Sequence, residues 1–226
     1  MMRRMLFLAV ILLAFLISCL VHGTSGVSLV YRESVEGSIS VLVYKIEPNA
    51  GGYLIGLTVN GQARREEIET DRLMSMRKWR YINPDQSSDY LIQRKDNLLH
   101  LSGVFKGRKI DRSCKTPNLG WKQFFPLGLE ELITSGKDTL DYTALNPSDL
   151  SLCTFTAVKK GLENVVVNGR TYEAVHVRIT LSGLLSYFWH ADSWHRKSDG
   201  RYIRYEYRNG INAPLIVDEL IEENRE

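Results

Sequence analysis

The sequence lacks the local motifs that identify the common classes of enzyme. It contains no glycine-rich phosphate-binding loop, no Gly-x-Ser-x-Gly nucleophile elbow, no Cys-x-x-Cys pair and no His-Glu-x-x-His zinc motif. The usual sequence evidence for nucleotide hydrolysis, serine hydrolysis, dithiol chemistry and zinc-dependent hydrolysis is therefore missing. A catalytic role would have to rest on a less regular group of residues.

An excess of positive charge is also missing. The chain has 29 lysines and arginines against 26 aspartates and glutamates, and Arg3 and Arg4 lie in an N-terminal leader. The remaining 27 cations almost balance the 26 anions. Proteins that bind nucleic acid usually carry a basic stripe, so this balance predicts no nucleic-acid partner. The acidic stretch from Asp218 to Glu226 is predicted to be a solvated C-terminal tail.

Cysteine is scarce, with three residues in the chain. Cys19 lies in the leader, which leaves Cys114 and Cys153 in the remainder. In an oxidising compartment these two thiols can pair, and closing a loop of about 40 residues stabilises a fold by roughly 2–4 kcal/mol. The alternative is two separate, buried free thiols.

The leader has the layout of a secretory signal peptide over residues 1–23. Two arginines precede the apolar run from Met5 to Val21, and small residues follow from Gly23 to Gly26. A run of about 17 residues is also at the lower limit of a membrane-spanning helix. An uncleaved membrane anchor is therefore the alternative.

Two cleavage sites compete within this leader. The Leu-Ile-Ser-Cys sequence at Leu16–Cys19 resembles a bacterial lipobox, which would imply lipidation of Cys19 and attachment to a membrane face. The sequence Val21–Gly23 instead suits ordinary signal peptidase and would release a product that starts near Thr24. Both interpretations predict an exported protein, either in the periplasm or lipid-anchored to an envelope membrane.

Residues 24–226 have the pattern of a single β-rich domain. Apolar and polar residues alternate in many segments, most clearly over 175–181 and 203–208, which predicts strands with one buried and one solvated face. Asn-Gly or Asp-Gly pairs that begin at positions 60, 168, 199 and 209 separate such segments and favour tight hairpins. We therefore predict a mainly β fold, either a curved antiparallel sheet or an incomplete β-barrel, with one or two short helices.

Helix is scarce in this pattern. The segment from Pro126 to Ser135 has Leu129, Leu132 and Ile133 at helical spacing, and Gly136 follows as a stop signal. One short helix beside a long series of strands indicates that the helix covers an opening of the sheet.

One local cluster contains residues suited to catalysis, namely His190, Asp192 and His195. If these residues met at a bend, two imidazoles and a carboxylate could bind a zinc-like ion or act as acid and base. On a continuous strand His190 and Asp192 would share one face and His195 would point to the other, which separates the site. The cluster also fits a strand end whose polar residues face water, and we predict no metal ion or other cofactor.

Aromatic residues are dense around this cluster. At a period of two residues, aromatic side chains mostly fill the core of a sheet. The alternative is an apolar groove or barrel mouth that receives a lipid tail or another hydrophobic ligand, because such pockets are apolar with a few fixed polar groups. The residues predicted to line this pocket are Trp79, Trp121, Tyr187, Trp189 and Trp194.

The last third of the chain carries a resemblance to a family. The segment Asn168–Leu181, the aromatic run Tyr187–Trp189 and the segment Asp199–Glu206 resemble exported bacterial proteins that carry the domain of unknown function 3108. The resemblance implies a periplasmic, curved antiparallel sheet and, more distantly, the half-barrel architecture of periplasmic lipoprotein carriers. It implies no catalytic residues.

These observations favour a non-enzymatic cell-envelope protein whose curved sheet binds a lipid or another hydrophobic ligand, with membrane association through Cys19 or the leader. The first alternative is a periplasmic enzyme that uses His190, Asp192 and His195. The second is a structural or assembly factor of the envelope.

Overall fold

A computed structural model describes residues 26–60, 62–124, 126–183, 189–210 and 212–225. Fifteen strands in these ranges form one sheet. They are β1 (Val27–Val35), β2 (Ser38–Asn49), β3 (Gly52–Val59), β4 (Arg65–Asp71), β5 (Met76–Asn83), β6 (Ser88–Lys95), β7 (Leu98–Phe105), β8 (Arg108–Lys115), β9 (Gly120–Trp121), β10 (Thr139–Leu145), β11 (Leu152–Val167), β12 (Arg170–Leu181), β13 (His190–Arg196), β14 (Tyr202–Arg208) and β15 (Leu215–Arg225).

Helical structure in the described residues is short, as the sequence predicts. The α-helix α1 spans Glu130–Thr134 and directly follows a 3-10 helix at Leu127–Leu129. A second 3-10 helix spans Pro84–Gln86. The helix predicted between Pro126 and Ser135 is therefore confirmed, although its first turn, Leu127–Leu129, is 3-10 rather than α.

The sheet consists of two series of sequential strands, β1 to β8 and β9 to β15, which are joined by the pairing of β1 with β15. Its strand order is β8-β7-β6-β5-β4-β3-β2-β1-β15-β14-β13-β12-β11-β10-β9, so the first and last strands of the described chain are neighbours. Every pairing is antiparallel except that of β9 with β10. The two edge strands, β8 and β9, are not paired with each other, so the curved sheet stays open. This confirms the predicted mainly β, incompletely closed architecture.

The predicted hairpin signals lie where strands turn. Asn168 and Gly169 connect β11 to β12, with φ values of 48° and 73°. A tight turn of this kind needs positive φ at both central residues, which asparagine and glycine accept at low cost. The Asp199-Gly200 pair likewise connects β13 to β14.

One face of the sheet and the segment around α1 enclose a single hydrophobic core. Trp121, Leu127, Leu129 and Leu132 are completely or almost completely buried against inward-facing strand residues. Tyr31 of β1 stacks on Tyr202 of β14, with ring centroids 4.1 Å apart, and its hydroxyl donates to the Tyr202 carbonyl oxygen. The chain between β8 and β10 therefore fills the concave side of the sheet.

The two ends of the strands differ in what covers them. At one end lie the β2–β3, β4–β5 and β13–β14 turns together with α1, since Gly200 of the β13–β14 turn contacts Glu130 and Ile133. We call it the α1 end. At the opposite end lie the β1–β2 turn and the β3–β4 and β14–β15 connections.

The acidic C-terminal stretch is not a solvated tail, and this prediction was wrong. Residues 218–225 belong to β15, which pairs with β1 on one side and β14 on the other. Outward-facing Glu219 binds Arg32 at 2.6 Å and Arg204 at 2.7 Å, and Glu223 binds Arg196 at 2.9 Å. Arginines on neighbouring strands thus balance the acidic residues, which sequence spacing alone does not reveal.

Candidate functional site

The aromatic residues predicted to line a pocket do not lie together. Trp79 and Trp121 are buried in the core with ring centroids 6.5 Å apart. Trp194 lies on the outer face of β13 and stacks on His176, 5.0 Å between centroids. Trp189 is half-buried beside Phe155, and Tyr187 lies outside the described residues. Of the four residues of this set that the structure describes, only Trp79 and Trp121 are in contact with each other.

The predicted His-Asp-His site is not assembled. His190, Asp192 and His195 all lie in β13, a continuous strand whose burial alternates along its length. His190 and Asp192 consequently face outward, whereas His195 is completely buried on the inner face. In the described part of the chain, no group of three or more His, Cys, Asp or Glu residues is placed to hold a metal ion. His195 is separated from His190 and Asp192 because successive side chains of a strand point to opposite faces of the sheet.

Asp192 instead belongs to an ion network on the outer face. His176 Nε2 donates to Asp192 Oδ1 at 2.7 Å, and Arg178 Nε donates to the same oxygen at 3.0 Å. Partial burial alone would raise the pKa of this carboxyl, but the hydrogen bonds from Arg178 and His176 hold it below its usual value. The sequence analysis does not identify His176 and Arg178 as partners of Asp192. They point outward from β12, which pairs with β13.

Burial keeps His195 neutral, and two hydrogen bonds fix the position of its ring. Its Nδ1 lies 2.8 Å from the Gly200 carbonyl oxygen, which can only accept, so Nδ1 carries the proton. Its Nε2 then accepts from the Ser193 hydroxyl at 3.0 Å. These two hydrogen bonds stabilise the β13–β14 turn from the inner face, which is a structural role.

A cleft of about 560 Å³ lies at the α1 end. The β4–β5 turn, the β6–β7 turn, the segment before β9, the start of β10 and α1 all contribute to it. Its lining is mainly polar and of mixed charge. The residues are Asp71, Leu73, Ser75, Met76, Arg77, Arg94, Asp96, Asn118, Leu119, Gly120, Lys122, Glu131, Leu140 and Asp141.

Lys122 lies at the inner wall of this cleft. Only 2% of its side chain is exposed, its Nζ donates to the Leu73 carbonyl oxygen at 2.6 Å, and Glu131 Oε2 lies 3.7 Å away. Burial lowers the pKa of the Lys122 ammonium group, and the carboxylates of Glu131 and Asp71 oppose this shift. A buried lysine in a cleft is a typical mark of a functional site. The sequence does not indicate that Lys122 is buried, because lysine is usually exposed.

A second, apolar cavity lies behind Lys122. Ile55, Ile68, Met74 and Phe124 are among its lining residues, and Met76 and Lys122 line both this cavity and the cleft. Its free volume is about 10 Å³, near the lower limit of what one water molecule requires. Met76 and Lys122 thus form a common wall between the polar cleft and a small apolar cavity.

Cys114 and Cys153 are half-buried free thiols in β8 and β11. The structure shows no disulfide between these two described residues. Burial raises the pKa of both thiols. Cys19, the predicted lipidation site, lies outside the described residues, as does the whole leader 1–23. Among the residues described here, no helix has the length and apolar character needed to cross a bilayer.

Comparison with known proteins identifies the fold but no family. No protein-family model matches the chain, and no curated protein matches it. The resemblance to the domain of unknown function 3108 is therefore not shown. A solved β-barrel-like protein with a domain of unknown function, DUF1849, from Brucella abortus superposes with a TM-score of 0.61 at 11% identity, over 90% of this chain and 98% of that chain. The two proteins share a fold.

Two other solved structures are more loosely similar. The hypothetical lipoprotein YmcC from Escherichia coli has 13% identity and a TM-score of 0.36, over 88% of this chain and 84% of that chain. A LolA superfamily protein from Nitrosomonas europaea has 10% identity and a TM-score of 0.28, over 90% of this chain and 86% of that chain. Such superpositions are too loose to define a shared architecture.

Proposed function

We propose that this protein is a non-enzymatic binding protein of the cell envelope that takes up an amphipathic ligand at the α1 end. The proposal rests on one observation. A polar cleft of about 560 Å³ and an apolar cavity share Met76 and Lys122 as their common wall. Displacement of these two side chains would join the two spaces into one pocket with a polar mouth and an apolar interior.

The charges of the cleft indicate the kind of head group. Arg77 and Arg94 supply positive charge, whereas Asp96 and Asp141 supply negative charge. Such a mixture suits a zwitterionic or neutral polar group better than a strongly charged one, because either net charge would meet repulsion. A single apolar chain would extend past Lys122 toward Phe124.

Opening the pocket carries a moderate structural cost. Lys122 would lose its hydrogen bond to the Leu73 carbonyl oxygen and its contact with Glu131. A long, flexible side chain can carry its ammonium group into the cleft, where water and the carboxylate of Asp71 would solvate it. The small apolar cavity would then widen by the movement of flexible side chains such as Met74 and Met76.

The proposal predicts that a larger side chain at Met76, in the wall shared by cleft and cavity, weakens ligand binding. Dodecylphosphocholine below its micellar concentration is titrated into the protein, and bound molecules are counted by native mass spectrometry. We expect one molecule per chain. Met76→Trp should weaken binding by at least about tenfold, because the larger ring occupies the path of the chain.

Met76→Leu is the matched control for this experiment. It keeps nearly the same side-chain volume, so binding should stay close to that of the unchanged protein. Thermal unfolding confirms that both variants are folded. Equal binding by Met76→Trp and the unchanged protein would contradict the proposed pocket.

An envelope location is the second part of the proposal, and the leader supports it. We expect the mature chain to begin at Cys19, with lipid on its thiol, or near Thr24 without lipid. Intact masses of protein isolated separately from membranes and from the periplasm distinguish these two products. A mass that still includes Arg3 and Arg4 would show that the leader is not removed.

The arrangement of β13 supports a binding role over the enzymatic alternative, because the inward side chain of His195 lies on the opposite face of the strand from outward-facing His190 and Asp192.

A further inference from the structure

Two carboxylates lie side by side at the end of the sheet opposite α1. Glu33 of β1 and Asp218 of β15 are direct cross-strand partners. Asp218 is buried like Ile216 and Leu220, which flank it on the inner face of β15, and Glu33 follows the buried Tyr31 by two residues. Direct partners on one face of an antiparallel pair have Cβ atoms about 4.5–5.5 Å apart. Both carboxylates therefore point into the concave side.

Asp218 is an unusual residue for this position. Only 6% of it is exposed, and its Oδ1 has no hydrogen-bond partner. A buried polar atom without a partner costs on the order of 1–3 kcal/mol, so a native structure retains one for a reason. Burial raises the pKa of Asp218, the charge of Glu33 raises it further, and Arg64 opposes both effects.

Tyrosine rings complete this cluster. Tyr205 of β14 is the cross-strand partner of Asp218 on its other side, and Tyr207 stacks on Tyr205 with centroids 4.9 Å apart. Tyr207 follows Tyr205 by two residues in β14 and so points to the same face of the sheet. Burial raises the pKa of Tyr207, and the charges of Asp218 and Glu33 raise it further. We call Glu33, Tyr205, Tyr207 and Asp218 the acid–tyrosine cluster.

Arg64, whose charge acts on both carboxyl groups of this cluster, is already engaged elsewhere. Arg64 donates from Nε to Glu66 Oε1 at 2.7 Å and lies over the ring of Tyr81 at 5.7 Å. Glu66 in turn accepts from Trp79 Nε1 at 2.7 Å. Arg64 therefore neutralises Glu66 and leaves Glu33 and Asp218 without a bound counterion among the described residues.

From this geometry we propose that the acid–tyrosine cluster binds a primary alkylammonium group. An ammonium group brings three N–H donors, which suit the free Oδ1 of Asp218 and the carboxylate of Glu33. The adjoining alkyl chain and positive charge suit the faces of Tyr205 and Tyr207. A metal ion is disfavoured, since the described residues form no group of three or more metal-ligating side chains. The ammonium group can come from a free amine or from an ethanolamine lipid head group.

The test compares an ammonium ligand with a neutral ligand of the same length. Hexylamine, charged near neutral pH, and hexanol are each titrated into the full chain by calorimetry at low ionic strength. We expect hexylammonium to bind at least about tenfold more tightly than hexanol, because hydrogen bonds to charged groups are the stronger ones. Equal affinities would overturn the proposal.

Variants locate the site. Asp218→Asn and Glu33→Gln should each weaken hexylammonium binding by about tenfold or more. Glu222→Gln, an exposed position on the same strand, should leave binding unchanged. If Asp218→Asn does not fold, Glu33→Gln still provides the test, because Glu33 is less buried than Asp218. An equal loss in Glu222→Gln, or no loss in Glu33→Gln, would overturn the assignment.

One further measurement identifies the source of the ammonium group, and another distinguishes the two proposed binding sites. Cosedimentation with phosphatidylcholine vesicles, with and without phosphatidylethanolamine, shows whether a lipid head group supplies the ammonium; binding of the free amine alone identifies a free amine. Met76→Trp lies at the α1 end and should not change hexylammonium binding. Failure of the α1-end pocket and failure of the acid–tyrosine cluster are thus distinguishable.

Discussion

Trp121→Ala is expected to lower the free energy of unfolding by about 3–5 kcal/mol, which is typical of removing a fully buried large aromatic side chain. Trp121 is 0% exposed, and its ring lies in the core near Trp79. It belongs to β9, a strand of only two residues whose edge position leaves few backbone hydrogen bonds to hold it. Chemical denaturation monitored by circular dichroism measures the loss.

Trp194→Ala is the matched control for this truncation. The same residue type is removed, but Trp194 lies on the outer face, where it stacks on His176 and lies under Arg204 at 5.8 Å. The expected cost is about 1 kcal/mol. If the two substitutions cost the same, the division of the tryptophans into an inner and an outer face would be wrong.

Acidification from pH 6.5 to about 4 is expected to remove about 3 kcal/mol of stability through His195 alone. Burial lowers the pKa of this imidazole to about 4, and the hydrogen bond to the Gly200 carbonyl oxygen opposes the shift only in part. In the unfolded chain a histidine keeps a pKa of about 6.5. Between these two values the unfolded state binds a proton that the folded state does not, so the free energy of unfolding decreases as the pH falls.

The measurement is urea unfolding of the unchanged protein and His195→Gln at neutral pH and near pH 4.5. The unchanged protein should lose about 2–3 kcal/mol more than the variant over this interval. The comparison with the variant is necessary because Glu130 acts in the opposite direction. Burial raises the pKa of Glu130 to about 7, so its contribution to stability decreases as the pH rises from about 4.5 to 7. Parallel losses in both proteins would show that His195 is not the group responsible.

Much of the secondary structure is readable in the sequence because its signals are local. Val175, Val177 and Ile179 alternate with polar residues, and they lie in β12 as predicted. The Asn168-Gly169 pair forms the turn that its backbone preferences favour. The short helix is also predicted correctly in place, since apolar spacing and Gly136 are both within a few residues of it.

The candidate sites are less readable, because they depend on which faces meet. Trp79 and Trp194 look equivalent as aromatic residues in strands, yet one is in the core and the other is outside. The buried Lys122 has no distinguishing neighbours in sequence, and it meets Leu73 and Glu131 only after the chain folds. Glu33 and Asp218 are separated by most of the chain, so their proximity follows entirely from the pairing of β1 with β15.

The leader and the series of alternating strands are properties of the sequence by itself, because charge, apolar length and period two are read from near neighbours. The incompletely closed curved sheet was also predicted from that series, together with the one short helix that the sequence indicates. Only the tertiary structure decided the rest. Pairings between residues far apart in the chain decide which side chains point inward or outward. They also decide where the wall between cleft and cavity lies and that the acidic C terminus forms a central strand. Such pairings are selected by burial and charge complementarity across the whole sheet, and no local pattern contains that information.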